Sequence, residues 1–118
     1  MRADAQAQVD RIDAALNLVK MSLDWDRALR RLDELNARVE DPTLWDNPKK
    51  AEEVMRERRR LDAAISTVKE IDADKTGTVE LIELAEMEGD ETLANEGAAS
   101  LKELADRADR DKVSALLS

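Results

Sequence analysis

The sequence contains no cysteine, no histidine, no phenylalanine and no tyrosine. Without cysteine there are no disulfides and no thiolate chemistry, which is compatible with a cytoplasmic home. Without histidine the commonest metal ligand and general base is missing. The only aromatic residues are Trp25 and Trp45, and β-branched residues are sparse, which argues against a sheet protein. Apolar runs never exceed a handful of residues, far short of the ~20 that a membrane-spanning helix needs. Residues 1–13 carry Arg2, Asp4, Asp10, Arg11 and Asp13, a pattern unlike a secretory signal. With only two prolines and three glycines, few points force a helix to stop.

What remains is helix-forming. Charged residues make up 40% of the 118 positions and hydrophobic residues 42%. A chain so rich in Ala, Glu, Leu, Arg and Asp points to long helices or a coiled coil, and its length fits one domain, residues 1–118.

Apolar spacing predicts four helices. Ala5, Val9, Ile12, Leu16, Val19 and Leu23 step by threes and fours, a single seam along a helix over about 3–21. A second helix, about 24–40, buries Trp25, Ala28, Leu29, Leu32, Leu35 and Val39, with Asp24 as its expected N-cap. Pro42 ends it, because proline disfavours the α conformation at the residue before it. Asn47 and Pro48 suit the N-cap and first position of a third helix, about 48–88. Its seams are Val54, Leu61, Ile65, Val68 and Ile71, then Val79, Ile82 and Ala85 flanked by Leu81 and Leu84. Gly77 lies in the polar stretch between them and marks a soft spot, since glycine costs about 1 kcal/mol inside a helix. Gly89-Asp90 reads as a C-terminal cap followed by an N-cap, opening a fourth helix over about 91–116. There the small residues Gly97, Ala98 and Ala99 would admit another helix closely. Short loops imply antiparallel neighbours. The expectation is an all-α, elongated antiparallel helical bundle, or coiled-coil hairpin, of about four helices.

Net charge is −9, unevenly spread. Residues 49–60 hold six basic groups against three acidic ones, and residues 69–96 hold ten acidic against two basic. A purely nucleic-acid-binding domain is usually basic throughout, so any RNA contact should be local and a protein partner is at least as well favoured.

No catalytic constellation is present: no Ser-His-Asp or Cys-His set, no Gly-rich phosphate loop, no His/Cys metal cluster. The chain is therefore not expected to be an enzyme or to need a cofactor. The acidic residues Glu80, Glu83, Glu86, Glu88, Asp90 and Glu91 lack the turn glycines and fixed oxygens of a calcium loop and read as a solvated helix face. Arg56, Arg59 and Arg60 share one helix face at i, i+3 and i+4. They are either an ordinary exposed face, partly paired with Glu52, or a contact for rRNA phosphate or an acidic protein. Arg58 falls at a seam position, where its stem would cover apolar surface. Pro42, Trp45, Asn47 and Pro48 form a structural turn in which Trp45 is expected to plug the end of the bundle, since Trp is highly buried on average.

The segment from Leu32 to Ala51, with its Pro42-Thr43-Leu44-Trp45-Asp46-Asn47-Pro48 core, carries a further signal. It resembles the N-terminal helical domain of the bacterial peptide chain release factor 2 family, in which Pro, two variable residues, Trp, Asp or Asn, one residue and Pro join two helices. Met21 to Asp26, Leu81 to Glu91 and the ending Ala115-Leu116-Leu117-Ser118 are similar to the same family, so the likeness covers nearly all of residues 9–118. The resemblance implies a multidomain cytoplasmic factor acting in translation termination at UGA and UAA. Its implied partners are the ribosome, through rRNA and stalk-base proteins, and the class II release-factor GTPase, with no membrane and no small-molecule substrate. The family's codon-reading Ser-Pro-Phe and hydrolysis-assisting Gly-Gly-Gln tripeptides do not occur in these 118 residues, so the chain reads as a domain fragment without a peptide-release centre. The competing reading is a free-standing coiled-coil protein-interaction scaffold, which would have no need of the Pro-x-x-Trp turn.

Overall fold

In a computed structural model describing all 118 residues, apolar spacing becomes helix almost throughout. The elements are α1 (Ala3–Leu23), α2 (Trp25–Glu40), a short 3-10 turn (Pro42–Asp46), α3 (Pro48–Met87) and α4 (Glu91–Leu117), with no strand. The all-α class is as expected from the seams. The chain divides into two compact units. A hairpin unit, Leu23–Thr67, holds α2, the turn and the first half of α3. A three-helix unit holds Met1–Ser22 and Val68–Ser118, that is α1, the second half of α3, and α4.

In the three-helix unit α1 runs antiparallel to α3. The Met1 amino group lies 3.6 Å from Glu86, and Lys75 Nζ lies 2.5 Å from Asp13. It runs parallel to α4: Arg2 bonds Asn95, Arg11 reaches Asp106 and Asp109 at 3.0 and 2.6 Å, and the Ser22 hydroxyl faces the Ala115 carbonyl. All three helices supply the core, most completely through Ile12, Val19, Val68, Ile71, Ile82 and Leu101. Burying each such side chain fully is worth about 1.5–3 kcal/mol. The close approach anticipated at Gly97 occurs against α3: a Cβ there would sit 2.5 Å from Ile82 Cγ1.

Helix α3 passes unbroken through Gly77. The Thr76 and Thr78 hydroxyls bond back to the carbonyls of Asp72 and Asp74, and Ile71 and Ile82 bury on either side. Packing on both flanks outweighs the glycine's modest helical penalty. At the other end Gly89 adopts φ 69°. Its N–H bonds Glu86 O, and the Asp90 N–H bonds Ala85 O, the paired bonds of a Schellman cap. Asp90 then caps α4 by accepting from Leu93 N at 3.0 Å.

Asp24 departs from expectation. It does not cap α2 with its side chain; it takes a left-handed conformation, φ 54° and ψ 71°. One residue separates α1 from α2. Ending one helix and starting the next within a single position requires that backbone excursion, which Asp tolerates better than most residues.

Candidate docking surface

The hairpin unit packs α2 against the first half of α3 around Leu35, Leu44, Ala51 and Val54, with Val39 and Leu61 at the edge. The Pro42–Asp46 turn closes one end. The Asp41 carboxylate accepts from the Thr43 N–H at 3.0 Å and the Thr43 hydroxyl at 2.8 Å, which holds its pKa below the ordinary value. Pro42 occupies the first turn position, where no N–H is required. Asn47 accepts from the Lys50 N–H at 3.2 Å, so it caps α3, and Pro48 is that helix's first residue.

The buried plug is Leu44 rather than Trp45. Leu44 is 8% exposed and Trp45 52%. A 3-10 turn advances three residues per revolution, so neighbouring side chains leave it in different directions and only Leu44 faces the core cluster. The Trp45 indole N–H donates to Val39 O at 3.4 Å. That bond ties the ring back to the end of α2 while leaving half its surface open.

The three arginines anticipated on α3 do share an exposed face. Arg56 is paired with Glu52 at 2.7 Å. Arg59 carries no ion pair or hydrogen bond, and the charge of Arg60 helps to depress the pKa of Glu57. Arg58 stands apart: it is half-buried, and its Nε donates to Asn36 Oδ1 at 2.7 Å across to α2, in keeping with its seam position.

Helix α2 adds what the linear reading missed. Arg27, Arg30 and Arg31 have the same i, i+3, i+4 spacing as Arg56, Arg59 and Arg60. Reading basic spacing on both helices would have exposed the pair of rows. Arg31 spans the hairpin to Glu57, with Nη2–Oε1 at 2.7 Å and Nε–Oε1 at 3.0 Å, and also meets Glu34 at 3.1 Å. The hydrogen bond from Arg31 draws the Glu57 pKa below its usual value, and the carboxylates of Glu57 and Glu34 raise that of Arg31. Arg27, Arg31 and Arg60 line one shallow groove with Glu57, Ala28 and Leu61. Arg31 is already held by Glu57 and Glu34, which leaves Arg27 and Arg60 as the guanidinium groups open to a phosphate or carboxylate, beside the carboxylates of Asp24 and Glu57.

The acidic residues Glu80, Glu83, Glu86, Glu88, Asp90 and Glu91 are all exposed on the three-helix unit. Their side chains have other roles at two positions: Glu86 faces the Met1 amino group, and Asp90 caps α4. No group of three or more His, Cys, Asp or Glu residues is arranged to hold a metal ion, and no helix is long and apolar enough to cross a membrane.

A family model described as the PCRF domain matches residues 28–118. The match takes in the proline-bounded turn, the whole of α3 and α4, and every hairpin arginine but Arg27, and the chain belongs to the PCRF domain family. Its relatives are peptide chain release factor 2 proteins. That of Caulobacter sp. (strain K31) is 55% identical over 95 residues, 80% of this chain and 26% of that protein. Those of Paramagnetospirillum magneticum and Ruegeria sp. (strain TM1040) are 42% and 44% identical over 118 and 117 residues, covering 32% and 31% of their own lengths. The chain thus spans between a quarter and a third of the length of these relatives.

Proposed function

We propose that this chain is a ribosome-docking domain of a translation-termination factor of the release factor 2 type, acting in the cytoplasm at UGA and UAA stop codons. Its partners in this reading are rRNA and stalk-base proteins, together with the class II release-factor GTPase. The observation that carries the reading is the match of the whole chain to release factor 2 proteins. The groove lined by Arg27, Arg31 and Arg60, with Asp24 and Glu57 among them, supports it, because it keeps a small positive excess in an acidic chain. Phosphate neutralisation by such a surface supplies affinity without sequence reading. Screening limits its reach to ~8 Å at physiological salt, so the patch acts only in near contact and the isolated chain binds ribosomes weakly. In this reading the domain itself performs no hydrolysis, since it holds no Gly-Gly-Gln segment.

A reconstituted termination assay tests this reading. The purified chain added to stop-codon complexes should leave peptidyl-tRNA hydrolysis at its uncatalysed rate. A full-length factor lacking the domain should associate more slowly, or recycle poorly with the GTPase, while still telling UGA from UAG. Peptide release by the chain alone, or loss of stop-codon discrimination on its removal, would overturn the assignment.

A further inference from the structure

Beyond the ion pairs of Arg11, the seam between α1 and α4 changes character. Arg11, Leu18 and Ser22 share one stripe of α1 at i, i+7 and i+11, and Asp106, Asp109, Val113 and Leu116 share one stripe of α4. Arg11 closes the first part of the seam by its bonds to Asp106 and Asp109, and further on the Ser22 hydroxyl faces the Ala115 carbonyl. Leu18 therefore lies level with Val113 and Leu116, yet the three are 41%, 51% and 54% exposed. Met21 and Leu117 at the same end are more exposed still. Half of the ten large hydrophobic side chains left exposed by the fold gather here. Single exposed apolar residues are ordinary, whereas a cluster of this kind marks an interaction surface. Fraying of a chain terminus does not account for it, because Leu18 and Met21 lie inside the sequence, in a helix that continues to Leu23.

Length and position identify the occupant. The release factor 2 proteins of Paramagnetospirillum magneticum and Ruegeria sp. match this chain with only 32% and 31% of their own lengths, so most of such a factor lies outside these four helices. A segment continuing from Ser118 starts inside the patch, next to Leu116 and Leu117. A segment preceding Met1 would start at the opposite end of α1, where the Met1 amino group faces Glu86, about 30 Å away at the standard helical rise. A covalently attached neighbour meets the patch at an effective concentration of about millimolar. Five side chains, too few to hold a free partner stably, are then enough. Charge at this end is mixed, Lys20, Arg110 and Lys112 with Asp109 and Asp111, and selects neither phosphate nor a strongly charged protein. The net charge of −9 disfavours a second copy of the chain.

We propose that the apolar end formed by Leu18, Met21, Val113, Leu116 and Leu117 is an interdomain contact, seated against the part of the full-length factor that follows residue 118. This contact presupposes the longer termination factor of the docking reading and fixes how the domain is held to it. The hairpin's arginines play no part in it.

Methionine oxidation reads this contact without any substitution. Met21 at this end and Met87 at the other are both strongly exposed, and dilute peroxide should oxidise them at similar rates in the 118-residue chain. In the full-length factor Met21 oxidation should slow at least fivefold, while Met87 keeps its rate. Leu18→Ser with Leu116→Ser, both already half in water, should leave the helical circular dichroism unchanged and return Met21 in the full-length factor to the rate of the chain alone. Met21 oxidising equally fast in both proteins, or staying protected in the double variant, would overturn the proposal. So would protection of Met21 that appears in the chain alone as its concentration rises, which would give the face to a second copy. Protection in the full-length factor only once ribosomes are added would give it to an external partner and overturn it as well. Arg56→Glu with Arg59→Glu and Arg60→Glu should leave Met21 protected. If that triple variant slows ribosome association while Met21 is never protected, the docking reading stands and the interdomain contact alone falls.

Discussion

The hairpin unit carries ten basic residues against eleven acidic ones; the three-helix unit carries nine against seventeen. Both prolines and both tryptophans lie in the first, and all three glycines in the second. The net charge of −9 therefore belongs almost wholly to the three-helix unit. Repulsion of phosphate by net charge applies to that unit and not to the hairpin, whose charges nearly cancel and whose arginines stand in two matched rows. The units also end helices differently. Proline and an Asn cap start α3 in the hairpin, whereas a left-handed glycine closes it in the three-helix unit. The two units thus differ both in charge and in how they bound their helices.

Core truncation probes that division most strongly. Leu35→Ala in the hairpin and Leu101→Ala in the three-helix unit each remove a fully buried side chain and should cost about 2–5 kcal/mol. Amide hydrogen exchange should show each variant losing most protection in its own unit. Equal loss across both units would mean that the two are energetically one.

The turn offers the next largest contrast. Leu44→Ala should lower stability by about 2–3 kcal/mol, within the usual range for a buried leucine. Trp45→Ala, with half its surface already in water, should cost about 1 kcal/mol by area. Chemical denaturation compares them directly, and a larger loss for Trp45 would restore it as the plug.

Two glycines of the three-helix unit should respond in opposite directions. Gly97→Ala drives a methyl group into Ile82 and should destabilise by about 1–3 kcal/mol, as overpacking does. Gly77→Ala meets empty space and should stabilise by up to about 1 kcal/mol through helix propensity. Thermal melts of the two variants moving the same way would contradict the packing assigned here.

A smaller effect concerns acid. Hydrogen bonds from Arg11 lower the pKa values of Asp106 and Asp109. A carboxylate depressed on folding contributes stability above its unfolded pKa and loses it as pH falls through the folded value. The melting midpoint should therefore decline as pH drops below the 3.8 of an unfolded Asp, and Arg11→Ala should flatten that decline. Asp111, raised by burial and with Oδ2 unpartnered, opposes the trend. These pairs lie at the solvent-accessible surface, where screening keeps their effect small.

The helices were legible because burial follows spacing: Ile12, Leu16, Val19, Leu35, Val54, Ile65, Ile71 and Ile82 all fall on the seams read from the sequence and all are buried. The misses have specific causes. Nothing in the apolar pattern distinguishes Leu44 from Trp45 as the plug, because the choice depends on the pitch of a 3-10 turn. A capping residue and a left-handed linker look alike at Asp24, since Asp suits both. Leu81 and Leu84 read as flanking residues of a buried seam because helical spacing alone does not say how wide a face a neighbour covers. The arginine surface was half visible: the α3 row is contiguous in sequence, while its α2 counterpart joins it only when the hairpin folds.

Charge reversal in the full-length factor tests most directly the central claim that this domain docks rather than decodes. Arg56→Glu, Arg59→Glu and Arg60→Glu together should slow ribosome association or impair the GTPase-dependent step, with a weaker salt dependence than the parent, while discrimination between UGA and UAG stays unchanged. Association and recycling at parental rates would leave those arginines as a solvated face, and a loss of stop-codon discrimination would contradict the claim itself.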